Sequence, residues 1–259
     1  MIQENARTQL REEGFCVLPA VLSKEELARA RAGLDRAVEI SQHFERSNPN
    51  HKLDPNEANI RAANLPAVDP VFIELLMRAD ALDAAREAIG PHILISNFTA
   101  NIALPGSGSM KLHSDQALVV PPPWPHPWAV NIIWCLDDVN EANGATRYLP
   151  GSHRIQSLDD VPADALDRTV AFEAPAGSFI VMEGRLWHTS GMNVTANQRR
   201  RMLFAYYSSD FIRPQMNWAM SLPGEVQSAM DDETRELFGL NATGNVRMGS
   251  ALTNLAATT

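Results

Sequence analysis

The chain has 259 residues, 45% of them hydrophobic and 20% charged, with a net charge of −9. On a scale of roughly 100–200 residues per domain this is one large domain or two small ones, and the composition is that of a globular protein rather than a disordered or collagen-like chain. The negative charge argues against a nucleic-acid partner, whose phosphates would repel such a surface.

Taken from the start, "MIQENARTQLREEGF" mixes acids, bases and amides without an apolar h-region, so no signal peptide is read there. No segment approaches the roughly 18 uninterrupted apolar residues of a membrane span, and a cytoplasmic protein without a membrane partner is expected. "LSKEELARARAGLDRAVEIS" carries Leu22, Leu27, Ala30, Leu34 and Val38 on a helical period, opened by Ser23 with Glu26 three residues on, which is a capping box. "RSNPNHKLDPNEANI" then reads as a polar loop or lid over about 46–60. A second helical stretch, 70–89, starts at Pro70, ends before Gly90 and is expected to break near Ala79 to Ala81. From 92 onward, "HILISNFTANIALPG", "WAVNIIWCLDDV", "GATRYLPG", "TVAFEAP", "SFIVMEG" and "RRRMLFAYYSS" are short β-rich runs punctuated by Gly, Pro and Asn, the pattern of an antiparallel sandwich or barrel. A last helix is predicted over about 223–238. Cys16 and Cys135 lack metal spacing and read as buried, reduced thiols.

Within this frame, "GSMKLHSDQALVV" at 107–119 sets His113 and Asp115 two apart in a run that reads as a strand and its exit. With seven histidines and 31 acidic residues, about one His-x-acid match is expected by chance, and His43 with Glu45 is such a match on the first long helix. Side chains two apart diverge on a helix but share a face on a strand, so geometry favours the second pair as metal ligands. Two neutral imidazoles and a carboxylate on one face of Fe(II) would leave three positions for co-substrate and dioxygen. The second histidine has several candidates: His51, His92, His126, His153 and His188. The order of features (acid-containing pair, long β-rich interval, histidine, then arginines about ten residues on) favours His188.

"LHSDQ" at 112–116, "NGATRYLPGSH" at 143–153 and "LWHTSGMNVTANQRRR" at 186–201, with "EEGFCVLPAVLSKEEL" near the start, resemble the phytanoyl-CoA dioxygenase family of Fe(II)- and 2-oxoglutarate-dependent oxygenases. The resemblance spans about 8–210. It implies a mainly β fold with flanking helices around a double-stranded β-helix, a jelly-roll or cupin-like core. The chain would then be one domain over 1–259: a helical part to about 90, the β-helix core about 91–210, and a C-terminal helix and tail, 211–259. It also implies iron ligation by His113, Asp115 and His188, with Fe(II), 2-oxoglutarate and dioxygen as cofactor and co-substrates. Arg199, eleven residues after His188, takes the place of the arginine that pairs with the distal carboxylate of 2-oxoglutarate. Alternation puts Arg199 and Arg201 on one face and Arg200 on the other, and spacing decides for Arg199. Thr146, Ser190 and Trp134 fall at positions that surround 2-oxoglutarate in relatives. The implied reaction couples oxidative decarboxylation, which yields succinate and carbon dioxide, to oxidation of a substrate C–H bond. Asp115 argues against a halogenase, which carries a small residue there.

The competing reading is a cupin-like metal-binding protein that is non-catalytic or independent of 2-oxoglutarate; the full ligand set and the strand arginine speak against it. The partner is expected to be a small molecule. "VVPPPWPHPWAV", 119–130, reads equally as an apolar wall of its pocket or as a rigid loop packed on its own barrel. "FIRPQMNWAMSLPG", 211–224, could cover either its own barrel or a neighbour, which leaves a homodimer open. Lysine occurs only at Lys24, Lys52 and Lys111, little for a coenzyme A carrier, so a free, largely apolar metabolite is expected.

Overall fold

The computed structural model describes residues 2–47 and 56–241. The chain opens with helix α1 (Glu4–Glu13), strand β1 (Phe15–Leu18), the long helix α2 (Lys24–Ser47) and strand β2 (Asn59–Ala62). Helices α3 (Pro70–Leu76) and α4 (Ala79–Ile89) lead into β3 (Ile93–Ala103) and β4 (Ala129–Cys135). The strands β5 (Thr146–Tyr148), β6 (Val170–Ala171), β7 (Phe179–Glu183), β8 (His188–Ser190) and β9 (Arg200–Ser209) follow. Short helices α5 (Trp218–Ser221), α6 (Gly224–Ala229) and α7 (Asp232–Leu237) come last. No helix among the described residues is long and apolar enough to cross a membrane.

Two antiparallel sheets form the jelly-roll core, one ordered β1-β7-β4-β9-β3-β2 and the other β6-β5-β8. The large sheet is buried on both faces, which is why its strands read as nearly continuous apolar runs. On its outer face Val130, Ile132, Trp134, Leu203, Ala205 and Tyr207 pack with Leu34, Phe72, Leu76 and Leu82 of the helices. On its inner face Ile133, Cys135, Ile180 and Met202 meet Ala145 and Phe172 from the region of the small sheet.

The capping box is present: the Ser23 amide donates to Glu26 Oε2 at 2.7 Å and the Glu26 amide to Ser23 Oγ at 3.1 Å. The break in the second helical stretch falls at Met77–Arg78, just ahead of the expected place. Arg78 is drawn out of helical geometry by ion pairs to Glu26 and Asp80 and by a hydrogen bond to the Val21 carbonyl. The predicted last helix is split in two, because the Asp231 side chain accepts from the Thr234 amide and caps a new start. Helix α1 was not anticipated; it ends at Gly14, φ 79°, where an added Cβ would lie 2.6 Å from the His153 ring. Strand β2 emerges from the end of the segment read as a loop. His51, like the side chains of His43 and Glu45, lies outside the described residues.

One alternative left open by the sequence resolves here. The 211–224 segment covers its own barrel: the indole of Trp218 is buried and donates to the Ile95 carbonyl at 2.7 Å, and the Met216 amide donates to Ser96 O. Both cysteines are buried and free, and burial pushes each thiol up to about 12, which leaves them inert as nucleophiles.

Candidate active site

His113 and His188, distant in sequence, exchange two backbone hydrogen bonds of 2.9 and 2.8 Å in an isolated antiparallel bridge. That pairing sets their rings side by side, centroids 4.3 Å apart. Asp115 then opens a short 3-10 turn, Asp115–Leu118, so its convergence comes from the chain bending after Ser114 and not from a continuous strand as the sequence suggested. The bend is fixed from below, where Ser114 Oγ and the Gln116 amide both donate to the Gly184 carbonyl at 2.8 Å.

Asp115 Oδ1 lies 3.9 Å from His113 Nε2 and 3.8 Å from His188 Nε2, too far for hydrogen bonds. The three ligand atoms fall within 4.8 Å of one another, and among the described residues this is the one His/Cys/Asp/Glu cluster able to hold a metal. The protonation of each imidazole follows from its other nitrogen. His113 Nδ1 meets the Lys111 carbonyl at 2.8 Å and His188 Nδ1 the Leu186 carbonyl at 2.9 Å. A carbonyl only accepts, so both Nδ1 atoms carry a proton, and Nε2 is the nitrogen that each ring turns to the cluster for a metal. Burial pushes the pKa of His188 down, with Asp115 opposing and His113 adding to the shift, which favours the neutral, ligating form. Two neutral imidazoles and a carboxylate are the donor set expected for Fe(II), so the residues present fit the ion.

The cluster opens on a cavity of about 350 Å³ whose wall includes Thr146, Ser190, Arg200, Asn131, Phe204 and Tyr206. Thr146 and Ser190 face each other as a register pair between β5 and β8, held close because Gly191 has no Cβ; one would sit 2.7 Å from the Ala145 carbonyl.

Two sequence assignments are corrected. Arg199 precedes β9 and is exposed, whereas Arg200, 1% exposed, lines the cavity. The alternation was read correctly but the wrong face was chosen: Arg200, Phe204 and Tyr206 point inward. Arg201 points outward and is bound twice by the Asp137 carboxylate at 2.9 and 2.6 Å. The Arg200 side chain is anchored through Nε to the Gly144 carbonyl at 3.0 Å and through Nη1 to Asn101 Oδ1 at 3.1 Å. Trp134 is also excluded from the site. On β4 it alternates with inward-facing Asn131 and Ile133, and its ring lies in the outer core against Phe179, centroids 4.8 Å apart.

The 119–130 loop packs on the barrel instead of lining the cavity. Trp124 is buried with its indole N–H on the Val119 carbonyl at 2.7 Å, Trp128 packs edge-on against Phe211, and the buried Gln116 side chain bonds the His126 carbonyl and the Trp128 amide. In its place the outer wall is built by Arg61, Asn97, Thr99, Gln215 and Met216. Sequence reasoning missed Asn131, Arg200 and Tyr206; inward parity along β4 and β9 was the signal that could have found them. Among the other histidines, His153 is buried and away from the cavity, and His92 and His126 are exposed.

The sequence profile of the phytanoyl-CoA dioxygenase (PhyH) family matches residues 10–202. The chain belongs to this family of Fe(II)- and 2-oxoglutarate-dependent dioxygenases. It is 46% identical over 246 residues to dioxygenase af480 of Aspergillus fumigatus, covering 95% of this chain and 80% of that protein. It is 28% identical to the iron/alpha-ketoglutarate-dependent dioxygenase ausU of Aspergillus calidoustus, covering 76% of this chain and 68% of that one. Among solved structures, HygX from Streptomyces hygroscopicus, crystallised with nickel and 2-oxoglutarate, superposes with a TM-score of 0.66. That superposition covers 83% of this chain and 90% of HygX at 17% identity, a likeness of fold.

Proposed function

We propose that this enzyme hydroxylates a C–H bond of a small, uncharged or weakly charged metabolite, using iron held by His113, Asp115 and His188. The observation that carries the reading is the meeting of those three side chains with a buried arginine in one cavity. When bound, iron and 2-oxoglutarate supply the oxidising power for the C–H bond. The chain's own residues do the rest. Arg200 is anchored on two sides, so its guanidinium is presented to the distal carboxylate of 2-oxoglutarate in a fixed orientation suited to charge-assisted hydrogen bonds. Thr146 and Ser190 flank the same space and offer hydroxyls. Phe204 and Met216 provide apolar surface that limits water near the metal, and Asn97, Thr99 and Gln215 offer polar contacts, which suits a metabolite bearing oxygen functions.

The test is anaerobic addition of Fe(II) and 2-oxoglutarate to the protein. A visible charge-transfer band that is lost in Asp115→Ala, with the fold retained, is the expected result. A protein that binds metal without any band on adding 2-oxoglutarate would instead be the 2-oxoglutarate-independent cupin.

A further inference from the structure

Strand β4 carries one residue that its surroundings do not explain. Ala129, Val130, Ile132, Ile133, Trp134 and Cys135 are all buried and apolar or thiol, and among them Asn131 is only 7% exposed. A carboxamide in such a strand costs free energy unless it is hydrogen-bonded. Half of it is not, since Asn131 Oδ1 is buried without a partner. The other half makes one bond, from Nδ2 to Asp115 Oδ2 at 3.0 Å. A carboxylate only accepts, so the amide nitrogen has to face it.

The choice of oxygen matters. Asp115 Oδ1 is the atom that faces both histidine Nε2 atoms, while Oδ2 is the one taken by Asn131. Directly across the β4–β9 ladder from Asn131 stands Tyr206, whose hydroxyl donates to the Asp115 main-chain carbonyl at 3.2 Å. Asp115 is thus held at its side chain and at its backbone by two register partners on adjacent strands.

We propose that Asn131 is a positioning residue that keeps Asp115 a one-oxygen ligand: it occupies the outer carboxylate oxygen and leaves the inner one alone to meet the metal. The inference rests on the ligand assignment above and extends it. A carboxylate free to rotate could present both oxygens and so take one of the three positions that two histidines and a single oxygen leave open on an octahedral ion. Co-substrate chelation needs two of those positions and dioxygen the third. Asn131 therefore acts on dioxygen access without touching any reactant.

The test is Asn131→Leu, which keeps bulk and removes the donor. Fe(II) affinity, the 2-oxoglutarate band and the electron paramagnetic resonance signal of the nitric oxide adduct, a dioxygen surrogate, are measured without oxygen beside the melting temperature. The nitric oxide adduct of the 2-oxoglutarate complex should weaken roughly 10- to 100-fold, the usual cost when a partner of a metal ligand is removed, with Fe(II) still bound. The melting temperature should hold, because the substitution also removes an unpartnered buried oxygen. Loss of the nitric oxide adduct from a protein that still holds iron and 2-oxoglutarate supports the proposal. A nitric oxide adduct within twofold of wild type would overturn it, whatever the iron affinity or the melting temperature, and leave the ligand assignment standing. A wild-type protein showing no band would overturn the ligand assignment and this inference with it. Should Asn131→Leu not fold, Asn131→Ala is read by the same criteria.

Discussion

At the scale of single residues, the run Arg199–Arg200–Arg201 shows how sharply one position in a strand decides a role. Arg199 lies in solvent, Arg200 lines the cavity and Arg201 is paired with Asp137 on the opposite face. Truncating one partner of a buried charged pair costs about 2–5 kcal/mol. Arg200→Ala should therefore raise the 2-oxoglutarate concentration for half-maximal succinate formation by a large factor, while Arg199→Ala should leave it near wild type. Titration of both variants against 2-oxoglutarate checks this, and equal effects would remove Arg200 from the co-substrate site. His153 is a residue of another kind, buried with Arg154 and Arg185 nearby. Burial first, then those two cations, lower its pKa from 6.5 to about 4, the backbone at Arg11 only partly offsetting them. Because the folded pKa lies below the unfolded one, the unfolded chain binds more protons between these values. Stability should then fall as pH drops from about 6.5 towards 4. In His153→Phe the decline of the urea midpoint over that range should be shallower, and an identical decline would assign it to other groups.

At the scale of elements, alternation along β4 separates stability from function within one strand. Trp134 faces the helices, stacked edge-on against Phe179 with the Arg78 guanidinium 6.0 Å above its ring. Trp134→Ala should destabilise the fold by about 3–5 kcal/mol, seen in the urea midpoint, with the 2-oxoglutarate requirement of the folded fraction unchanged. A shift in that requirement without loss of stability would put Trp134 back at the co-substrate. The helices divide in the same way. The first long helix was legible because its start is local chemistry, Ser23 and Glu26 satisfying each other's amides. The break at Arg78 was misplaced because its cause is partly remote, in Glu26 and Val21.

At the scale of the whole molecule, charge bears on the substrate. Among the described residues, the arginines in the cavity wall are Arg61 and Arg200, the latter proposed for 2-oxoglutarate, and the chain as a whole carries −9. A coenzyme A thioester brings several phosphate charges that need basic partners near the pocket mouth. Succinate formation should be stimulated by free metabolites and not by matched acyl-CoA thioesters. Selective hydroxylation of a thioester would reverse this reading of the substrate while leaving the iron site as described.

The long capped helix, the β-rich antiparallel character from 92 onward and the candidate pair His113 and Asp115 were legible in the amino-acid sequence, because these depend on periodicity, capping and spacing over a few residues. The order of features and then the resemblance singled out His188. Tertiary structure alone decided which arginine enters the cavity, that Trp134 belongs to the core, that the proline-tryptophan loop packs on its own barrel, and that Asn131 and Tyr206 brace Asp115. The reason is the same in each case. Period-two alternation says that neighbouring side chains face opposite ways, but which way is inward is set by the partner strands and by the helices that cover the outer face.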